Sequence, residues 1–376
     1  MSDIIIKKCK RYDTAEIKEK IRQGFESLGG LDKYIKTGEK VLLKPNALVP
    51  VKPETAVVTH PVFVRAVIQL VKEKTDKVFI GESPGAGRYG YAAAVSGVKK
   101  AAQEEGAEII DFRADTDVVK KEKLVYNKFR LDKRLLEMDK IINLPKLKTH
   151  GLMQMTLCVK NMYGIIPGLK KLEYHANAER DKELFAAALI DVYRACPPAF
   201  NIMDGITAME GDGPGTGGTP VDFGVIVMGE DGFAIDTMVP ALAGADPDRV
   251  YTNAVYKKRV NNGEPPAYRV IEGEERLIKK FRLPPDVNRK GLFGFFVGFL
   301  KEHALAKPVF DPKKCTGCGT CISHCPVNAL AFGVKKEGDN EIDCDYKKCI
   351  SCFCCHEMCP ENAVKIKKRF LGFLFR

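Results

Sequence analysis

Two cysteine runs near the end of the chain restrict its possible folds more than any other feature. Each has the spacing C-x2-C-x2-C-x3-C-P; the first extends from Cys315 to Pro326 and the second from Cys349 to Pro360. Ten of the 13 cysteines lie between Cys315 and Cys359. Because the N-terminal stretch MSDIIIKKCKRYDTAEIKEK has no secretion-signal pattern, this crowding indicates metal binding rather than disulfides.

The repeated spacing resembles that of the bacterial two-cluster ferredoxins, over about 60 residues. The resemblance implies two [4Fe–4S] clusters, with the fourth cysteine of each run bound to the cluster of the other run. The ligands of one cluster would be Cys315, Cys318, Cys321 and Cys359, and those of the other would be Cys349, Cys352, Cys355 and Cys325. Two adjacent clusters form an electron relay, so we expect an electron-transfer protein with a redox partner protein.

Four-cysteine zinc sites are the alternative interpretation of these runs. Zinc sites usually pair two C-x2-C knuckles, whereas here three cysteines are followed by a fourth and a proline. The spacing therefore favours iron–sulfur clusters. Cys344 and Cys354 are left over, and we expect both to be small buried side chains near a cluster.

About 280 residues before the cysteine runs alternate strand-like apolar runs with helical patterns. Residues 40–46 and 77–87 have the pattern of strands that end in loops, and residues 61–74, 91–106 and 181–196 have apolar residues at helical spacing. Strands separated by helices of this length predict an α/β fold with a largely parallel sheet and flanking helices. The cysteine runs add a small α+β two-cluster ferredoxin-like domain.

We expect three parts in the chain: an α/β domain at residues 1–285, a Phe-rich connecting segment at 286–307 and the ferredoxin-like domain at 308–376. The connecting segment contains GLFGFFVGFL, and the chain ends in FLGFLFR. We expect these apolar stretches to pack on the protein, with weak peripheral membrane contact as the alternative. No apolar run has the length of a transmembrane helix, so the expected location is the cytoplasm.

The charge of the chain concerns its partners. The formal net charge is +11, and lysine and arginine are spread along the sequence rather than gathered in one block. Such a surface attracts anionic partners, which fits both an acidic redox protein and an anionic small-molecule substrate. Nucleic acid is not expected, because the chain has no known binding motif and no basic patch with interleaved aromatic residues.

Several stretches of the large domain resemble a family called domain of unknown function 362, whose members are often fused to ferredoxin modules. The matching stretches are VLLKPNALVP, VVTHPVFVRAVIQLV, GESPGAG, NLPKLKTHGLMQMTLCVKNMYG, MDGITAMEGDGPGTGG and AIDTMVPALAGADP. They cover residues 38–260, approximately. The family name implies no reaction, so the residues have to be considered one by one.

Polar residues follow several of the predicted strands, and in a parallel sheet such positions meet at one edge. We expect the following residues to line a cleft there that binds an anionic substrate or cofactor: Lys44, Asn46, Lys160, Asn161, Asp204 and Asp212. His60, His150 and Lys148 are the candidate catalytic residues, with a histidine as proton donor or base. Each histidine could equally be structural, and His175 has the sequence context of a surface or loop residue.

Two functions remain open from the sequence. In the first, the protein is an iron–sulfur oxidoreductase that relays electrons through both clusters to an anionic substrate or cofactor in the α/β domain. In the second, it is a non-catalytic electron carrier or assembly protein whose α/β domain docks a redox partner. A nicotinamide site is not expected, because no G-x-G-x-x-G follows the first strand and opens a helix.

Overall fold

A computed structural model describes residues 1–85, 87–114, 116–168, 170–179, 181–284, 306–333 and 340–367. Most of the predicted connecting segment and the stretch FLGFLFR lie outside these ranges. The expected domain boundaries and the packing of the Phe-rich stretches therefore stay predictions.

The strands of the described residues fall into one large sheet and three small ones. They are β1 (Ser2–Lys8), β2 (Val41–Pro45), β3 (Val78–Glu82), β4 (Glu108–Asp111), β5 (Thr116–Val119), β6 (Lys128–Leu131), β7 (Lys140–Leu144), β8 (Lys146–His150), β9 (Gln154–Thr156), β10 (Phe200–Gly211), β11 (Gly218–Gly229), β12 (Tyr268–Glu272), β13 (Lys307–Phe310), β14 (Leu330–Phe332), β15 (Ile342–Cys344) and β16 (Val364–Lys367).

Helices cover the large sheet and also occur in the cysteine-rich part. They are α1 (Thr14–Ser27), α2 (Pro61–Val71), α3 (Tyr89–Val95), α4 (Val98–Glu104), α5 (Lys133–Leu136), α6 (Cys158–Asn161), α7 (Lys170–Ala178), α8 (Lys182–Ala195), α9 (Gly232–Leu242), α10 (Tyr251–Arg259), α11 (Thr320–Ser323) and α12 (Cys354–Met358). No helix of the described ranges is long and apolar enough to cross a membrane.

The large sheet has ten strands, and its main path runs β12–β1–β11–β10–β7–β2–β3–β4, with β8 beside β10 and β9 beside β8. The pairs from β10 through β7, β2 and β3 to β4 are parallel. Strand β11 pairs antiparallel with both β1 and β10. The predicted α/β fold with a largely parallel sheet is therefore confirmed, and its antiparallel pairs include those of β11 with its two neighbours and of β8 with β9.

Helix α2 shows how the sequence positions these elements. The Nδ1 atom of His60 accepts the backbone N–H of Val62 at 3.2 Å and so caps the first turn, where Pro61 needs no N–H partner. The helix buries an apolar face that includes Phe63 and Val67. The single helix expected at 91–106 is instead two helices, α3 and α4, because Gly97 lies between them with a φ of 83°.

The cysteine-rich part, here called the cluster module (residues 306–333 and 340–367), is a small α+β unit, as expected. Strand β13 pairs antiparallel with β16, and β14 pairs antiparallel with β15. Each cysteine run has one short helix, α11 in the first and α12 in the second. The two runs thus fold as two similar halves.

Candidate functional site

A cavity lies between the α/β domain and the cluster module, with an empty volume of about 730 Å³ including its open mouth. Both parts of the chain supply its walls. Its polar lining residues are Asn46, Glu82, Ser83, Lys148, His150, Thr156, Lys160, Asn161, Tyr163, Lys171 and His175 from the α/β domain, and His324, Cys354 and Glu357 from the cluster module. The helix that carries cysteines of the second run therefore faces a basic region of the large domain.

The structure brings five of the nine predicted cleft residues to this cavity: Asn46, Lys148, His150, Lys160 and Asn161. The other four do not line it. The Lys44 ammonium pairs with Glu82, and both side chains are buried. The predicted cleft is therefore a smaller site, displaced toward the cluster module.

His60 and Asp204 belong to a separate buried network. The Asp204 carboxylate accepts hydrogen bonds from Lys146 Nζ and from the Tyr12 hydroxyl, each at 2.8 Å. The His60 ring stacks on the Tyr12 ring with centroids 3.6 Å apart, and burial lowers the pKa of His60 to about 4. This network ties the N-terminal segment to the sheet and does not reach the cavity.

The sequence segment KLKTH is a strand, β8, rather than the expected loop. It pairs with β10 and β9, and all five of its residues are buried. Alternation along a strand puts Lys146, Lys148 and His150 on one face, while Leu147 on the other face joins the hydrophobic core. Asp204, expected at the end of a strand, lies inside the long strand β10.

Lys148 uses its ammonium group to hold three segments together. Its Nζ atom donates to Asn46 Oδ1 at 2.8 Å, to the carbonyl of Val57 at 2.6 Å and to the carbonyl of Pro214 at 3.4 Å. Burial lowers the pKa of Lys148 to about 7, whereas three oxygen acceptors favour the charged ammonium. All three N–H donors of Lys148 have protein acceptors, so Lys148 fixes the position of the segments that form the cavity wall.

Lys171 and Lys160 differ in what they contact. Lys171 donates to the carbonyls of Ser83 and Pro84, and burial lowers its pKa to about 7. Lys160 is half-buried, and its Nζ lies 5.3 Å from the ring centroid of Tyr163. Burial lowers the pKa of Lys160, and the nearby Glu357 carboxylate opposes that shift. Within the described ranges Lys160 Nζ makes no hydrogen bond, and an anion in the cavity would likewise favour the charged ammonium.

The His150 ring has a defined hydrogen position. Its Nδ1 atom accepts the backbone N–H groups of Leu152 at 3.1 Å and Met153 at 3.3 Å. The neutral ring therefore carries its hydrogen on Nε2, which lies 3.4 Å from Glu357 Oε1. Burial keeps the pKa of His150 well below its usual value and raises the pKa of Glu357.

His175 contradicts its expected place at the surface. It lies in α7, is buried, and its ring stacks on Phe185 with centroids 4.2 Å apart. Burial lowers the pKa of His175 to about 3. Sequence reasoning also missed Thr156, Lys171 and Glu357 as lining residues, because no local pattern sets them apart from solvated polar residues.

A second cavity lies inside the cluster module. Its empty volume is about 390 Å³. Its lining includes the four cysteines expected for the first cluster, Cys315, Cys318, Cys321 and Cys359. Cys359 belongs to the second run, so the fold brings it across to the first run as crossed ligation requires.

The fourth cysteine of each run accepts a hydrogen bond from a backbone N–H four residues later. The Ala329 N–H points to Cys325 Sγ at 3.2 Å, and the Ala363 N–H points to Cys359 Sγ at 3.3 Å. Backbone N–H groups aimed at cysteine sulfur stabilise thiolates and tune cluster potentials. The thiol set and these donors therefore fit a [4Fe–4S] group.

The remaining cysteines gather in the other half. The pKa of Cys344 is raised, first by its contact with Cys349 and further by burial and by nearby Cys355 and Cys325. Cys354 is buried as expected, whereas Cys344 is half-buried. The Cys354 side chain contacts Cys352 and lines the interdomain cavity.

The glycine-rich loop at 212–217 is where the cluster module docks. His356 Nε2 lies 3.0 Å from the Asp212 carbonyl oxygen, so Asp212 contacts the module through its backbone. A Cβ atom on Gly215 would lie 2.7 Å from the Glu357 carbonyl oxygen. The Met358 side chain packs into the core of the large domain, against Gly85. Absent side chains thus permit close contact between the two parts.

An α/β domain joined to a module that gathers thiols around a cavity defines an iron–sulfur electron-transfer protein. The chain belongs to the family described as Domain of unknown function (DUF362), which residues 41–240 match. Residues 308–331 match the 4Fe-4S binding domain.

One curated relative is the thylakoid-associated protein sll1697 of Synechocystis. It is 31% identical over 316 residues, which are 80% of this chain and 97% of the relative. The name of this relative does not support the expected cytoplasmic location, which stays a prediction.

Two solved structures resemble part of the chain. One is the lactate racemase apoprotein of Thermoanaerobacterium thermosaccharolyticum, with a TM-score of 0.39 and 12% identity, covering 53% of this chain and 50% of that one. The other is a Thermotoga maritima protein, with a TM-score of 0.38 and 13% identity, covering 63% and 58%. At these TM-scores the likeness carries no argument about function.

Proposed function

We propose that the protein is an iron–sulfur oxidoreductase that passes electrons through two [4Fe–4S] clusters to an anionic substrate or cofactor in the interdomain cavity. One observation carries this proposal: Cys354, the neighbour of the proposed cluster ligand Cys355, lines the same cavity as Lys160 and His150. The basic site and the cluster-bearing helix therefore share one space.

The proposed ligands are Cys315, Cys318, Cys321 and Cys359 for the first cluster and Cys349, Cys352, Cys355 and Cys325 for the second. Each bound cluster would store and release single electrons. The contact of Cys354 with Cys352 and its exposure to the cavity support the second cluster as the one nearer the substrate.

The side chains of the cavity have separate roles in this proposal. Lys160 supplies positive charge to the substrate, and the neutral His150 ring offers its Nε2–H as a hydrogen-bond donor to a substrate oxygen. Lys148 and Lys171 hold the surrounding loops in place through backbone carbonyls. Leu48 and Met358 contribute apolar walls that limit access of water.

Electrons would enter at the first cluster. Cys318 is exposed, and Lys313 and Lys314 precede the run with exposed side chains. Lys347 and Lys348 form a similar exposed pair before the second run. These lysines fit an acidic electron-donor protein, whose association would weaken as salt concentration rises.

The test starts from anaerobically purified protein reduced with dithionite and then freed of the reductant. Fractions of anionic metabolites are added, and recovery of the visible absorbance reports reoxidation of the clusters. Lys160→Met and His150→Phe should slow reoxidation at least tenfold. Lys128→Met, which removes an exposed lysine paired with Asp117, should not.

A different outcome would favour the other function. If every fraction reoxidises these two variants as fast as the original protein, electrons do not leave through the cavity. Reoxidation by an acceptor protein alone would then identify a non-catalytic electron carrier.

A further inference from the structure

Three residues that line the interdomain cavity each have a buried polar atom without a hydrogen-bond partner among the described residues. These atoms are His150 Nε2, Thr156 Oγ1 and Glu357 Oε1. Their side chains belong to residues that are 1%, 3% and 5% exposed, respectively. Buried polar atoms are nearly always paired, so three that line one cavity point to a ligand that pairs with them.

His150 Nε2 and Glu357 Oε1 together define a position for one oxygen atom of the ligand. His150 Nε2 carries a hydrogen, because Nδ1 already accepts two backbone N–H groups. Glu357 Oε1 lies 3.4 Å away, so one oxygen atom can lie within hydrogen-bond distance of both. A hydroxyl there accepts from His150 and donates to Glu357, and a carbonyl oxygen accepts from His150.

The second feature is the Lys160 ammonium, whose Nζ atom has no hydrogen-bond partner among the described residues. Lys148 donates to three protein oxygens and Lys171 donates to two, and the Asn46 side-chain amide donates to Asn161 Oδ1. Lys160 Nζ remains for the ligand, together with the Thr156 hydroxyl. One ammonium and one hydroxyl match the single charge of a carboxylate better than the double charge of a phosphate.

We propose that the cavity binds small carboxylates that carry a second oxygen, as hydroxyl or carbonyl, apart from the carboxylate. The carboxylate lies against Lys160 and Thr156, the second oxygen lies between His150 and Glu357, and the carbon body packs on Leu48 and Leu172. This inference rests on the proposed function only for the reaction of the bound ligand; the inference itself states which ligands bind.

The test is anaerobic calorimetry of the oxidised protein, with its clusters intact, against three hydroxybenzoate isomers, benzoate, phenol and inorganic phosphate. At least one isomer should bind about tenfold more tightly than benzoate and than phenol, as expected for one buried hydrogen bond or more. Equal binding of benzoate and every isomer, no binding of any isomer, or tighter binding of phosphate would overturn the proposal.

Variants identify the atoms involved. Thr156→Val should weaken the best isomer and benzoate alike, by about fivefold to tenfold. Thr149→Val is the matched control, because Thr149 Oγ1 is also buried and unpaired in the described structure but does not line the cavity. Glu357→Gln should reduce the preference for the isomer over benzoate. Visible absorbance and iron content check that each variant retains its clusters.

The result separates this inference from the proposed function. Binding with the expected preferences but no reoxidation of reduced clusters by any anion overturns the oxidoreductase and leaves the ligand class intact. Reoxidation by a substrate without a carboxylate supports the oxidoreductase and overturns the ligand class.

Discussion

His150 Nε2 lies 3.4 Å from Glu357 Oε1, and this contact joins a strand of the central sheet to helix α12, which carries Cys355, a proposed ligand of the second cluster. Neither the α/β domain nor the cluster module contains the cavity by itself. The chemistry that we propose depends on how closely these two parts dock, and the predictions below concern that docking and the groups around it.

Gly215→Ala should weaken the docking of the cluster module. Its added Cβ would lie 2.7 Å from the Glu357 carbonyl oxygen, so backbone has to shift, at a cost of about 1–3 kcal/mol in the free energy of unfolding. Urea unfolding followed by circular dichroism measures this cost.

Gly90→Ala is the control for that glycine substitution. Gly90 is helical, and its added Cβ has its nearest neighbour at 3.4 Å, so this change should be neutral or stabilising. Equal stability of the Gly215 and Gly90 variants would contradict the docking geometry.

Met358→Ala should destabilise the protein by about 2–4 kcal/mol, because a buried side chain of the module leaves the core of the large domain. Phe332→Ala removes a larger apolar side chain that is 58% exposed on the module, and it should change stability by less than about 0.5 kcal/mol. Thermal unfolding of both variants, with iron content as a check, decides the point.

Cys359→Ala should remove the cluster expected on the first run, although Cys359 belongs to the second run. Its sulfur lines the cavity shared with Cys315, Cys318 and Cys321. Cys354→Ala removes a cysteine outside both ligand sets and should keep the full iron content. Iron and sulfide analysis with electron paramagnetic resonance of the reduced protein distinguishes them. Loss of both clusters in the Cys354 variant would contradict the assignment of Cys354 as a residue outside both ligand sets.

The stability of the protein should fall in mild acid partly because of His175. Burial holds its folded pKa at about 3, against 6.5 for an ordinary histidine. Below pH 6.5 the unfolded chain therefore takes up a proton that the folded chain refuses, and about 2 kcal/mol is lost by pH 5.

His175→Phe keeps a flat ring against Phe185 but cannot titrate. The difference in unfolding free energy between pH 7 and pH 5 should shrink by about that amount in this variant. His60 and His150 titrate in the same direction, so the comparison with the original protein isolates His175. An unchanged difference would mean that His175 is charged in the folded protein.

The sequence predicted the architecture well where the signal is periodic. Strand β2 and helices α2 and α8 lie close to their expected ranges, because apolar spacing records which face is buried. Residues 146–150 also alternate in the way a strand does, with Leu147 and Thr149 on one face. The charged residues on the other face led to the prediction of a loop instead.

The candidate site was only partly predictable. Lys160 and His150 reach the cavity, whereas Lys44 and Asp204 pair with Glu82 and Lys146. Such pairings join residues 38 and 58 positions apart, and no local pattern records them. The contribution of Glu357 depends on how the module docks, which neither domain's own sequence pattern specifies.

The packing of Met358 in the core of the large domain predicts how the protein behaves after proteolysis. A protease cut between residues 284 and 306 would leave two fragments. They would still be joined by the packing of Met358 in the large domain and by the contact of His356 with the Asp212 carbonyl. We expect these fragments to migrate together as a non-covalent heterodimer, much as two subunits would. The contacts of Met358 and His356 would then hold the module against the large domain without a covalent connection.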